Sequence, residues 1–204
     1  MRVYVALLVL MSLAGCAGVG SHAKNEAGLT DARAKISLGR CDDNLVSDLR
    51  RHKAPELEQQ AAYVCLQQGE VSAVEQLLKD YSKRHATPPY PDYSAYLLAL
   101  AQLARFEMVA DDPPKRLMEG RKAHDELTEF VRSYPDSDYR DGVAPRLFRL
   151  MEEMAQTEYQ IAMTALENGD GENGAARLRY VARHYGQTNA GRDAAAWIKN
   201  NQSN

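Results

Sequence analysis

One helical face recurs three times along these 204 residues and limits the fold more than any other feature of the chain. Val74, Leu78, Tyr81 and His85 align with Ala123, Leu127, Phe130 and Tyr134, and again with Gly174, Leu178, Val181 and Tyr185, at offsets of 49 and 51 residues. Each set follows the spacing i, i+4, i+7, i+11, which places its members on one side of an α-helix. A turn follows each set, at 87–92, 135–138 and 186–189, and then a second amphipathic stretch. No segment alternates apolar and polar residues with β-branched enrichment, so no strand is predicted.

Gly, Pro and Asn/Asp turns divide the chain into predicted helices at 29–38, 42–53, 56–68, 71–85, 92–109, 114–134, 138–168, 172–185 and 189–200. Small residues within the pairs (Ala73, Ala123, Ala175) allow neighbouring helices to approach closely. A single helix pair cannot bury its own apolar face, whereas three or more stacked pairs can. The pattern resembles the tetratricopeptide class, with connections longer than the usual ~34-residue period. The fold expected is all-α: a right-handed solenoid of stacked tetratricopeptide-like helix pairs with a concave surface.

The N-terminus reads as an address. Arg2 precedes an apolar run over residues 3–11, and Leu13-Ala14-Gly15-Cys16 follows. That run is too short to span a bilayer, which takes about 20 helical residues. With small residues before the cut it has the form of a secretory signal. Cys16 directly after Leu-Ala-Gly resembles the lipobox of bacterial lipoproteins, in which the cysteine receives the lipid and becomes the first residue of the mature protein. Ala17 in place of Asp implies sorting to the outer membrane. The organisation expected is a lipoprotein signal peptide at 1–15, a flexible tether at 16–28 rich in Gly and small polar residues, and a helical repeat domain at 29–204. The lipid would hold the repeats on the periplasmic face of the outer membrane.

With Cys16 lipidated, Cys41 and Cys65 remain. In an oxidising compartment an even pair favours a disulfide, and two buried thiols on adjacent helices are the alternative.

Little in the sequence suggests catalysis. The 25 basic and 28 acidic side chains give a net charge of −3, without the basic footprint that nucleic acid requires. Gly169-Asp170-Gly171-Glu172-Asn173-Gly174 spells a dinucleotide fingerprint, but it follows a predicted helix and carries two carboxylates that would repel phosphate, so it reads as an inter-helix turn. The five histidines are too scattered to form a local metal site, and nucleophile-elbow and phosphate-loop motifs are missing. Neither enzyme activity nor any cofactor or metal is expected.

Several segments resemble the BamD family, the repeat lipoproteins of the machine that assembles outer-membrane β-barrels. Tyr134-Pro135-Asp136-Ser137-Asp138-Tyr139 resembles the opening of the family's fourth repeat and runs on through Arg146-Leu147, Leu150 and Glu158-Tyr159. Ala176-Arg177-Leu178 to Arg183-His184-Tyr185 resembles its Asn-Arg-Val to Arg-Asp-Tyr run, and Thr188-Asn189-Ala190-Gly191-Arg192-Asp193-Ala194 its Thr-x-Ala-x-Arg-Asp-Ala signature. Asp92-Tyr93 with Tyr96 resembles the family's Asp-Tyr-x-x-Tyr helix start. The family's Tyr-Pro-Phe-Gly turn is replaced by His52-Lys53-Ala54-Pro55-Glu56.

The resemblance implies a non-catalytic scaffold. Its partners would be an outer-membrane β-barrel assembly protein with companion lipoproteins, and unfolded outer-membrane protein segments. Arg177 stands where the family places an interface arginine. Tyr90, in a Pro-rich turn, is a candidate for lining a peptide groove, and Trp197 for packing the last helix or capping it against a partner. A divergent repeat lipoprotein acting as an adaptor in cell-envelope or peptidoglycan maintenance is the other function the sequence allows.

Overall fold

Helix breakers and capping residues set the boundaries of the fold. The computed structural model describes residues 19–201, and side chains from residue 26 onward. The signal segment 1–15 and the lipobox with Cys16 lie outside the described residues. Those residues form α1 (Val19–Ser37), α2 (Asp43–His52), α3 (Pro55–Gln67), α4 (Val71–Leu78), α5 (Tyr81–Arg84), α6 (Pro91–Met108), α7 (Pro113–Ser133), α8 (Val143–Glu167), α9 (Gly171–His184) and α10 (Asn189–Asn201), with a 3-10 turn at Arg140–Gly142 before α8. Among them there is no strand.

Prolines at the first helical turn start α3, α6 and α7, where the missing N–H has no partner to lose. Asp42 accepts from Leu45 N at 2.8 Å and Asp112 from Lys115 N at 3.0 Å, satisfying free donors of α2 and α7.

Besides the helix predicted from 138, which starts at Val143 behind the 3-10 turn, two predicted boundaries change. The helix expected over 71–85 breaks at Asp80, which takes the left-handed conformation (φ 53°) and separates α4 from the short α5. Aspartate tolerates this conformation better than most residues. Secondly, residues 19–28 belong to α1 rather than to an irregular tether. Ala23, Lys24, Glu26 and Ala27 are good helix formers. A Cβ on Gly28 would stand 2.8 Å from His52 Nε2, so the glycine lets α1 lie close to α2.

The helices stack in chain order. Hairpins α3–α4, α6–α7 and α8–α9 pack internally, α4 meets α6, α7 meets α8, and α9 meets α10. The recurring face lies inside this stack: Val74, Leu78, Ala123, Leu127, Leu178 and Val181 are all 0 or 1% exposed. Burying one such Leu or Val contributes about 1.5–3 kcal/mol. Two glycines allow close approach between hairpin helices: a Cβ would fall 2.9 Å from Met154 at Gly120 and 2.6 Å from Leu166 at Gly174.

Two cores result, and α6 serves both. Leu97 and Ala101 join a core with α1–α5, while Ala99, Leu103 and Phe106 join the core built with α7–α10.

Hairpins α3–α4 and α8–α9 are copies one hundred residues apart. Gly69 and Gly169 have φ of 76° and 81°. The N–H of Glu70 reaches Cys65 O and that of Asp170 reaches Ala165 O, both at 2.9 Å. Gly69 N to Leu66 O and Gly169 N to Leu166 O complete the same left-handed glycine cap on each hairpin. The glycine-rich fingerprint is therefore a helix stop followed by the start of α9, as its place in the sequence implied.

Candidate partner-binding surfaces

In each of these two hairpins a glutamate stands at the same position. Glu58 is 0% exposed and Glu158 is 1% exposed, so each requires cationic or hydrogen-bonding partners. The partners differ. Glu58 Oε2 lies 2.8 Å from Arg84 Nη2 and 3.2 Å from His85 Nε2, both close after α4. Its other oxygen has no hydrogen-bond partner among the described residues. Glu158 receives Arg121 Nη2 from α7 at 3.1 Å, and Arg177 Nη1 from α9 donates to its Oε2.

Arg177, the residue singled out by resemblance, thus lies in an open groove between α7, α8 and α9. Arg121, Glu158, Ile161, Asn173 and Tyr180 line it with Arg177. Both arginines keep about half of their side chains in solvent, at 55% for Arg121 and 41% for Arg177. Behind the groove, burial raises the Tyr185 phenol well above its ordinary value, and Tyr180 and Glu158 add to the effect. Sequence reasoning missed Arg121 and Glu158 as parts of this site.

Tyr90 is 70% exposed. Its backbone is left-handed (φ 43°), a strained state for an aromatic residue directly before proline. The turn is held from below by Gln59, whose amide nitrogen lies 2.7 Å from Pro89 O and 2.9 Å from Tyr90 O. Nearby, Tyr139 stacks against Tyr96 at 5.0 Å and lies 5.1 Å from Tyr93. Tyr93 and Tyr96 are half-buried, so their shared face packs, while Tyr90 stays outside it.

Trp197 is half-buried and packs with Ile198 against the C-terminal core. α10 is seated by Thr188, whose hydroxyl accepts from Gly191 N at 3.0 Å and donates to Tyr185 O at 2.6 Å.

Cys41 and Cys65 form a disulfide, with Cα atoms 5.0 Å apart, that ties the α1–α2 connection to the end of α3. Gln68 holds the same loop, accepting from Cys41 N at 3.1 Å and donating to Gly39 O.

Adjacent carboxylates in the sequence, Asp111-Asp112 and Glu152-Glu153, include members with structural roles. Asp112 caps α7, Glu152 accepts from Asn189 N at 3.1 Å, and Glu153 accepts from Arg116 Nη2 at 2.6 Å. Among the described residues no helix is long and apolar enough to cross a membrane.

Residues 44–203 match a family model described as YfiO, outer membrane lipoprotein, which takes in the helices from α2 through α10. With most of its length and all three hairpins inside that match, the chain belongs to the YfiO family of outer membrane lipoproteins.

Proposed function

We propose that this protein is a lipid-anchored, non-catalytic scaffold of the BamD type, holding other components of the β-barrel assembly machinery on the periplasmic face of the outer membrane. The family match over 44–203 carries the reading. Cys16 supplies the anchor. The groove at Arg177 receives the barrel subunit, with Trp197 and α10 closing that end of the stack. The exposed Tyr90 turn, at the junction of the first two hairpins, takes extended segments of unfolded barrel substrates. Rigid stacked helices limit the ordering cost of such contacts.

Affinity purification of the tagged full-length protein from mildly solubilised outer membranes tests this directly. Stoichiometric recovery of a barrel protein and small lipoproteins is expected, and Cys16→Ser is expected to move the protein into the soluble periplasmic fraction. Recovery with cell-wall enzymes instead favours the envelope-adaptor reading. One observation supports that second reading: the α2–α3 junction departs from the family's turn, with Lys53 in the left-handed conformation (φ 49°).

A further inference from the structure

We propose that a cationic tip at one end of α1–α5 rests on the acidic phospholipid headgroups of the membrane that holds the lipid anchor. The inference rests on the proposed anchor at Cys16. α1 and α2 run antiparallel: Lys35 near the end of α1 lies 3.1 Å from Asp42 just before α2, and Gly28 lies against His52 at the end of α2. The last turn of α2 therefore faces the same way as the N-terminus of α1, the side from which the chain arrives from Cys16.

That end gathers exposed cations from two places in the sequence. Arg50 and Arg51 end α2, and Lys53 follows it in the His52-Lys53-Ala54-Pro55-Glu56 turn where the chain departs from the family pattern. Tyr81 donates its hydroxyl to Pro55 O at 3.2 Å, which brings Lys79 and Lys83, on either side of it, to the same end. The acids there are Asp48, Glu56 and Asp80, of which Asp48 pairs with Arg51 at 2.8 Å and Asp80 with Lys83 at 2.9 Å. Lys24 and Glu26, further up α1, cancel in charge. Arg50 and Lys53 make no side-chain hydrogen bond or ion pair among the described residues. At the opposite end, gathered by the Cys41–Cys65 bond, the balance reverses: Asp31, Asp42, Asp43 and Glu70 stand against Lys35 and Arg40.

Reach fits as well. From Val19 to Gly28, α1 rises about 14 Å along its axis. Tilting α1 brings the tip within a Debye length of the surface, about 8 Å at physiological ionic strength. Acyl chains and a basic patch together make a two-signal attachment, and the second signal fixes how the repeats lean on the bilayer.

The test is flotation of the full mature chain carrying Cys16→Ser, so that binding reads the protein surface and not the acyl chains. Vesicles of phosphatidylethanolamine and phosphatidylglycerol in equal parts are compared, at low salt, with vesicles of phosphatidylcholine alone. Binding to the acidic vesicles only is expected, despite the net negative charge of the chain, with release as salt rises. Arg50→Gln, Lys53→Gln and Lys79→Gln combined should weaken it about tenfold or more at an unchanged thermal midpoint. Arg40→Gln, Arg140→Gln and Arg179→Gln make the same net change at exposed positions elsewhere, and should weaken it by about twofold at most. Failure to bind acidic vesicles, equal binding to phosphatidylcholine, or equal loss in both triple variants overturns the inference and leaves the cations to the dipoles of α2 and α4, which both end at the tip. Should the first triple variant fail to fold, Arg50→Gln decides alone, and unchanged binding there overturns it. Retention on purified peptidoglycan in place of vesicles assigns the tip to cell-wall carboxylates and overturns it too. Wild type that fractionates with membranes while the Cys16→Ser chain ignores vesicles refutes the tip alone, whereas wild type that fractionates as a soluble protein refutes the anchor and the tip together.

Discussion

Ser137 donates its hydroxyl to Asp92 at 2.7 Å, across 45 residues of sequence. The bond joins the two tyrosine-bearing motifs that carried the family resemblance, and Tyr139 completes the junction by lying against Tyr93 and Tyr96. These motifs are therefore each other's partners: they dock the turn before α8 onto the start of α6 and so set the angle between successive hairpins.

Breaking that junction has a modest cost. A hydrogen bond to a charged acceptor contributes about 1.5–3 kcal/mol, less where it is part-exposed, so Ser137→Ala is expected to lower stability by about 1–2 kcal/mol. Urea unfolding checks this, and an unchanged midpoint would contradict the role assigned to the bond.

Gly191 is a sharper case. A Cβ there would stand 1.9 Å from Tyr185 O, a backbone atom that cannot turn aside. Gly191→Ala should cost about 3 kcal/mol or more and loosen α10, with Trp197 fluorescence shifting to the red. At Gly171, where α9 starts, a Cβ would meet nothing within 4 Å, and Gly171→Ala should be neutral or slightly stabilising.

The Cys41–Cys65 bond closes a loop between residues 24 apart in sequence. In the chain-entropy account such a closure stabilises the fold by about 3 kcal/mol. Replacing both cysteines by serine should lower the denaturation midpoint accordingly, and the variant should match reduced wild type. A variant as stable as the oxidised protein would contradict this.

Alkaline stability follows from the buried tyrosines. Burial, reinforced by Glu58 and Glu56, pushes the Tyr81 phenol up to about 12, and burial raises Tyr185 in the same direction. Because the folded chain resists losing these protons, the associated stability is fully present below pH 10 and is lost as pH rises from there through about 12. Denaturant midpoints measured across that window should fall, and Tyr81→Phe should flatten the fall.

The recurring face was legible in the sequence because burial requires it at every repeat: Val74, Leu78, Ala123, Leu127, Leu178 and Val181 all fill the cores. The break at Asp80 was not, because Tyr81 continues the apolar spacing across it and a left-handed aspartate leaves no periodic trace. Residues 19–28 read as tether because Gly20, Ser21, Asn25 and Gly28 drew the eye more than the helix formers Ala23, Lys24, Glu26 and Ala27 between them. The buried acids Glu58 and Glu158 carry no individual mark in the sequence. Aligning the hairpins at one hundred residues would have flagged them, since Gly69 and Gly169, Leu66 and Leu166, and Leu78 and Leu178 fall into the same register. Arg121 gave no such signal, because only the fold brings α7 beside Glu158.

On the proposed reading, the α8–α9 groove holds a barrel-assembly partner in the living envelope. A photoreactive amino acid at Tyr180, 38% exposed on the rim of that groove, tests it most directly. The account predicts a single crosslinked adduct with the barrel subunit, lost on Arg177→Ala. A crosslink to a different protein, or none from Tyr180 while other surface positions crosslink the barrel subunit, would contradict it.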